Sequence, residues 1–396
     1  MSVADTVEKL QPLPSARPLH EEALSAYEAS FNARSHIWSD LMNENIDRLS
    51  RGSFSLHWME REDGRWGQRT AKPSSRGMTY TDINRLRDAG TIPEITTWRS
   101  FAPRGSVREP YRDQLPDIES YVVTDRRELW SDNVVTLYEE AKARQWNATR
   151  DIAWDELETL PEDLGKATCQ LCTFLTEIEF VAGDFPAKWM YQIPQDFLEV
   201  KSFLATQIMD EARHQEVFRK RAFAGGGLLH SAPGFEWALA AILEAPTHTM
   251  GTFLLNLLGE GLILSVFRSG EMIAKTQVDK EIFRRCLQDE ARHVSYGVMQ
   301  FKHFIDNHPD REAAIEEMHR FADVGELIVM SAFTEPAFIE SVAILLGGGL
   351  KKMDDGMDGL AHVWRMFIDE YLQRCERAGF DRKERCKIPA TAVWAS

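Results

Sequence analysis

The sequence predicts an all-α fold, a bundle of long helices behind an irregular N-terminal extension. Three observations carry this reading. From about residue 163 onward, apolar residues recur at three-to-four spacing in segment after segment. The breaks between segments fall at Pro194, Gly225–Gly227, Pro233, Pro309 and Gly347–Gly349, residue types that stop helices. No long strand-like run competes in that half of the chain.

Taken in order, residues 18–49 read as a helix with apolar residues at helical spacing. Residues 50–125 scatter Gly, Pro and aromatics such as Phe54, Trp58, Trp66 and Tyr80, and read as turns with short strands or helices. Residues 1–125 are therefore taken as an extension wrapping the core, and 126–396 as the helical domain. "LWSDNVVTLYEEAKARQW" restores helical spacing. The following helices are predicted at 163–191, 195–223, 235–275, 279–306, 312–333, 336–346 and 357–378. The hydrophobic stretch Leu327–Leu346 carries Glu335, Pro336 and Glu340 near its centre, which suits two buried helices better than a membrane span.

Composition bounds the function. The 396 residues are 43% hydrophobic and 27% charged, a balance that supports a substantial core. A net charge of −16 would be repelled by nucleic acid and by anionic membranes, so neither is expected as a partner. Five cysteines without a regular framework, and an N-terminus lacking an apolar run of signal length, point to reduced thiols and a cytoplasmic setting. Cys169 and Cys172 have CxxC spacing, but no second CxxC completes a zinc site, and two packed core thiols are the simpler reading.

The pentapeptide DEARH occurs twice, at Asp210–His214 and Asp289–His293. On a helix, Glu211 and His214 share a face, as do Glu290 and His293, so each pair offers a carboxylate and an imidazole to one point. Such oxygen-plus-nitrogen sets suit iron, manganese or zinc. A single ExxH is common on solvated helices, but each copy here follows a helix that carries a carboxylate in apolar surroundings. "CTFLTEIEFVAGDF" holds Glu177 and Glu179; "FLLNLLGEGLILSVF" holds Glu260 as its sole ionisable residue. Burying that charge alone costs several kcal/mol, so it needs a cation, a proton or an ion-pair partner. The order Glu, ExxH, Glu, ExxH over four helices is the pattern of carboxylate-bridged di-iron and di-manganese bundles. Four carboxylates and two imidazoles balance two divalent cations. A ligating histidine usually donates its second N–H to a carboxylate, a role open to Asp210 and Asp289, each toward the histidine of the other copy. Arg213 and Arg292 are placed to neutralise those aspartates or to form surface ion pairs.

With these motifs, residues 165–305 resemble the ferritin-like di-iron carboxylate superfamily, and most of all the catalytic subunits of bacterial multicomponent monooxygenases. "FLTEIEF" resembles the segment bearing the first glutamate, which selects Glu179 over Glu177. "NLLGEGL" resembles the third-helix segment and gives Glu260. "MDEARH" and "QDEARH" give Glu211, His214, Glu290 and His293. The resemblance implies two iron ions, or a manganese–iron pair, with dioxygen as co-substrate. It implies an enzyme that hydroxylates or otherwise oxidises a small organic molecule, with N-oxygenation or desaturation of an amine or natural-product intermediate as an alternative, and iron storage or a non-catalytic role as a further one. Where hydrocarbon-oxidising members carry a threonine one turn after the third glutamate, this chain has Leu264, with Ser265 beside it. Phe218 stands where the radical-bearing small subunit of ribonucleotide reductase has a tyrosine, which argues against that activity. The substrate pocket is expected to be apolar, near residues such as Phe174, Phe180, Phe218, Leu264 and Phe267. No flavin or nicotinamide fingerprint is visible, so electrons are expected from an external reductase or ferredoxin. A homodimer is expected.

Overall fold

A computed structural model describes residues 16–51, 70–86, 90–106 and 118–392. The chain divides into two compact units. One contains helix α1 (Ala16–Ser50). The other comprises residues 70–108 and 116–396, and carries everything that follows.

Among the described residues this second unit is helical, with isolated β-bridges and no strand. The segment read as turns contains a short helix α2 (Tyr80–Asn84), started by a capping box in which Thr79 and Asp82 satisfy each other's backbone N–H groups. Next comes α3 (Val134–Ala143). The long pair α4 (Glu162–Met190) and α5 (Leu198–Gly225) is antiparallel: Cys169 Sγ meets the Ala222 carbonyl, while Gly183 faces Glu211. α5 stops where Gly226 and Gly227 take φ of 145° and 125°, a backbone region that only glycine enters without strain. A second antiparallel pair follows, α8 (Glu260–Arg268) and α10 (Gln277–Asn307): Gly297 of α10 lies against Asn256 just before α8, and Phe283 against Gly270 just after it. The four-residue α9 (Gly270–Ile273) links the two. α11 (Arg311–Phe333), α12 (Pro336–Gly347) and α13 (Met353–Ala378) cover the bundle. Leu327–Leu346 is thus two helices, bent by 68° at the break before Pro336.

One predicted element differs. The helix expected at 235–275 is divided into α6 (Pro233–Leu243), α7 (His248–Thr252), a π-helical turn (Phe253–Gly259), α8 and α9. Pro246 has no N–H to continue α6, and Thr247 restarts the chain by accepting a bond from the Met250 amide. The run His248–Arg268 has the length and apolarity of a membrane span, but 89% of its most apolar window is buried inside the protein.

Segments before α3 are pinned to the start of α5. Thr96 donates to Asp196 at 2.6 Å, Asn84 to Glu199 at 2.8 Å, and Arg104 pairs with the same fully buried Glu199. The core between the helices is rich in stacked rings, for example Phe174 on Phe235 with centroids 4.6 Å apart.

Candidate metal centre

The four helices α4, α5, α8 and α10 each turn an acidic residue inward at one level. Glu179, Glu211, Glu260 and Glu290 are all at most 2% exposed, and His214 and His293 are fully buried. The structure brings all six predicted ligands together in two overlapping groups. Glu179, Glu211, His214 and Glu290 form one; Glu211, Glu260, Glu290 and His293 form the other; within each, one ligand atom per residue lies within 4.8 Å of the rest. His214 Nδ1 is 3.3 Å from Glu211, 3.2 Å from Glu290 and 3.6 Å from Glu179. His293 Nδ1 is 2.8 Å from Glu211, 3.4 Å from Glu290 and 3.7 Å from Glu260. Glu211 and Glu290 belong to both groups and are placed to bridge. Glu179 and Glu260 each serve one end.

Apart from Glu260, each ligand presents atoms without a hydrogen-bond partner: Glu179 Oε1, both oxygens of Glu211 and Glu290, and Nδ1 of both histidines. So many orphaned polar atoms are intolerable in a dry core unless a shared group satisfies them. Two divalent cations fit, because the donors are of the right type and four carboxylates balance four positive charges. Burial pushes the Glu179 and Glu260 carboxyls well above the usual range. Burial acts on Glu211 the same way, but the imidazoles of His293 and His214 override it and hold Glu211 low.

Behind the histidines lies a closed ring of charge. Arg213 pairs with Asp210 and, at 2.8 Å, with Asp289; Arg292 pairs with Asp210 at 2.7 Å and Asp289 at 2.6 Å. All four residues are at most 3% exposed. Each aspartate meets the histidine of the opposite copy: His214 Nε2 lies 3.2 Å from Asp289, and His293 Nε2 lies 3.4 Å from Asp210. With Nε2 engaged, Nδ1 is the nitrogen left for the centre. Burial opposes protonated histidine, yet Cys286, Asp289 and Glu179 raise the His214 imidazole above its ordinary value, and Glu211, Asp210 and Glu290 raise that of His293. The cationic groups act in the opposite sense on Asp289: burial would raise its carboxyl, but His214, Arg292 and Arg213 hold it low.

Several partners have no counterpart in the sequence reading. Trp146 donates its indole N–H to Asp289 at 2.7 Å, and Arg213 donates to Gln145 at 2.7 Å while lying over the Trp146 ring. Nothing local marks residues 145 and 146, which lie far from α10 in sequence. Gln207 and Asn256 donate to Glu260 at 2.9 and 2.8 Å. These had a signal, each standing four residues before a glutamate of the centre, and Asn256 interrupting an apolar run.

The remaining sites separate clearly. Glu177 is half-buried and outside both groups. Ser265 donates to Glu370 on α13 at 2.5 Å. Phe174, Phe218, Leu264 and Phe267 are buried, with Phe218 packed on Phe267 and Phe283. Phe180 corrects the expectation: it is 55% exposed, because the residue after Glu179 is turned a quarter of the way around the helix from the inward face. A narrow apolar pocket lies between α4, α6, the π-helical turn, α8 and α11, lined by residues such as Ile178, Val181, Phe235, Ile263 and Phe333; neither the six ligands nor any of the five residues expected to lie near a substrate pocket line it.

Two antiparallel helix pairs enclosing paired carboxylate–histidine sets define a ferritin-like helical bundle. Among solved structures, this fold is similar to that of R2-like ligand-binding oxidases. A point variant with an anaerobically reconstituted Mn/Fe cofactor is 18% identical and superposes with a TM-score of 0.51 over 63% of this chain and 94% of that one. Another variant, with an aerobically reconstituted Fe/Fe cofactor, is 19% identical with a TM-score of 0.51 over the same shares. The oxidase with an aerobically reconstituted Mn/Fe cofactor is 18% identical, with a TM-score of 0.50 over 64% and 95%. No family model and no curated protein matches the chain.

Proposed function

We propose that this chain is a dioxygen-activating oxidoreductase whose dinuclear iron centre, or manganese–iron centre, is held by Glu179, Glu211, His214, Glu260, Glu290 and His293. The observation that carries this reading is the convergence of buried carboxylate and imidazole atoms from four helices on one point, those of α4, α5 and α10 including several without a hydrogen-bond partner. The Mn/Fe and Fe/Fe cofactors of the similar oxidases support it. When bound, such a pair supplies two-electron reduction of dioxygen coupled to oxidation of an organic substrate.

The residues of the chain set the conditions. Glu211 and Glu290 are positioned to bridge, while Asp210 and Asp289 fix the imidazole tautomers. The buried helices exclude water. The apolar pocket, which shares α4 and α8 with the centre, suits a small apolar substrate, and inserting one oxygen atom into such a molecule requires two electrons and two protons beyond dioxygen. An external reductase or ferredoxin is assigned to deliver the electrons.

Metal analysis tests the reading. Protein expressed with iron should hold about two ions per chain, and its reduced form should change optically on exposure to oxygen. Glu260→Ala should lower the metal content and abolish that response. Wild-type protein that binds no metal, or a variant that behaves as wild type, would overturn the assignment.

A further inference from the structure

The two ends of the centre are built differently, although the sequence motif repeats. Glu179 has an oxygen without a partner, and its near neighbour is His214. Glu260, its counterpart, is held by both oxygens. Gln207, one turn before Glu211 on α5, donates Nε2 to Glu260 Oε1 at 2.9 Å. Asn256, one turn before Glu260 in the π-helical segment, donates Nδ2 to Oε2 at 2.8 Å. The two amides come from different helices and are at most 2% exposed. Asn256 also points the same nitrogen toward the His293 carbonyl at 3.5 Å. It can do so because α10 presents Gly297 there: a Cβ at that position would lie 2.8 Å from Asn256 Cβ. Gln207 Oε1 is buried without a partner, which leaves an acceptor beside the centre for a group that carries a hydrogen.

We infer that Gln207 and Asn256 are positioning residues: they clamp Glu260 and make the Glu260–His293 end the preorganised, tighter-binding half of the centre. The inference rests on the reading that the cluster holds two ions. A carboxylate already fixed by two N–H donors keeps lone pairs for a cation and loses less freedom when it binds one. Glu179 lacks such a clamp and must be ordered by the cation itself. Loss of a partner that orients a metal ligand characteristically weakens affinity about 10–100-fold.

The test is a Mn²⁺ titration of the metal-free full-length protein, with free Mn²⁺ counted by electron paramagnetic resonance. Wild type should bind in two steps of different affinity, the tighter lost in Glu260→Gln and the weaker in Glu179→Gln. Gln207→Leu should weaken the tighter step about 10–100-fold, leave the weaker one in place and leave the melting temperature of the metal-free protein unchanged. Asn256→Ser should weaken the same step, and it serves as the reading if Gln207→Leu fails to fold. Equal weakening of both steps, no change in either, or assignment of the tighter step to Glu179 would each overturn the clamp while leaving the metal centre standing. Wild-type protein that takes up no Mn²⁺ would instead remove the centre, and the clamp with it.

Discussion

Replacing Asp289 by asparagine removes one negative charge from a position on which four donors converge. Asp289 Oδ2 receives Arg213 at 2.8 Å, Trp146 at 2.7 Å and His214 at 3.2 Å, while Oδ1 receives Arg292 at 2.6 Å. The amide offers one oxygen and turns an NH₂ group toward a donor it cannot accept from. If the oxygen keeps the three-donor side, the nitrogen opposes the Arg292 guanidinium, and two buried arginines then share the charge of Asp210 alone. Removing one member of a buried ion pair costs about 3–5 kcal/mol, and for a unit of this size that lowers the melting temperature by about 5–8 °C. His214 also loses its orienting charge, so metal affinity should fall about 10–100-fold. Asp210→Asn should cost less, because its outer contact is Gln145 at 3.4 Å in place of the closer indole of Trp146. Thermal unfolding of the metal-free proteins, paired with metal titration, measures both effects. A loss below about 1 kcal/mol with unchanged metal affinity would refute the reasoning, since the ring would then behave like a surface ion pair.

Acid stability should report His248. Burial lowers its imidazole to about 4, so it stays neutral in the fold, whereas the unfolded chain takes up the proton near pH 6.5. Between those values the unfolded state binds more protons, so this residue makes stability fall as pH drops from about 6.5 to about 4, by up to about 3 kcal/mol. His248→Asn, which can still donate to the Glu128 carbonyl, should flatten that part of the stability–pH curve relative to wild type; parallel curves would refute the assignment. Gly251→Ala should destabilise by about 1–3 kcal/mol, read by denaturant unfolding, because the new methyl would fall 2.0 Å from Cε2 of the buried Phe185 ring. A variant as stable as wild type would show that this ring moves freely.

The helices were legible because their apolar spacing is sustained for many turns and Pro or Gly punctuates their ends. The break at 244–247 was missed because the apolar pattern resumes beyond Pro246 and masks it. The centre was legible where chemistry conflicts with burial: a glutamate in a leucine-rich run demands a partner, and a doubled ExxH suggests what the partner is. Glu177 and Glu179 could not be separated by periodicity, since both have apolar neighbours three and four residues away; the resemblance of FLTEIEF selected Glu179, and the packing turns that residue inward. Trp146 and Gln145 were not legible at all. Their roles arise from the docking of α3 and the chain that follows it against helices far along the sequence, a tertiary event with no local signature.

The π-helical turn before Glu260 has a consequence for what this chain can tolerate. In Phe253–Gly259 the ring-closing bonds skip one residue more than in an α-helix, and Glu260 N–H reaches back to the Leu255 carbonyl. Deleting one residue between Asn256 and Glu260 would restore the ordinary pitch and change the four-residue spacing at which Asn256 donates to Glu260. Upstream, α7 is anchored at its start, where His248 donates to the Glu128 carbonyl. The leucines of this stretch are therefore open to exchange for other apolar residues, whereas its length is fixed to the residue.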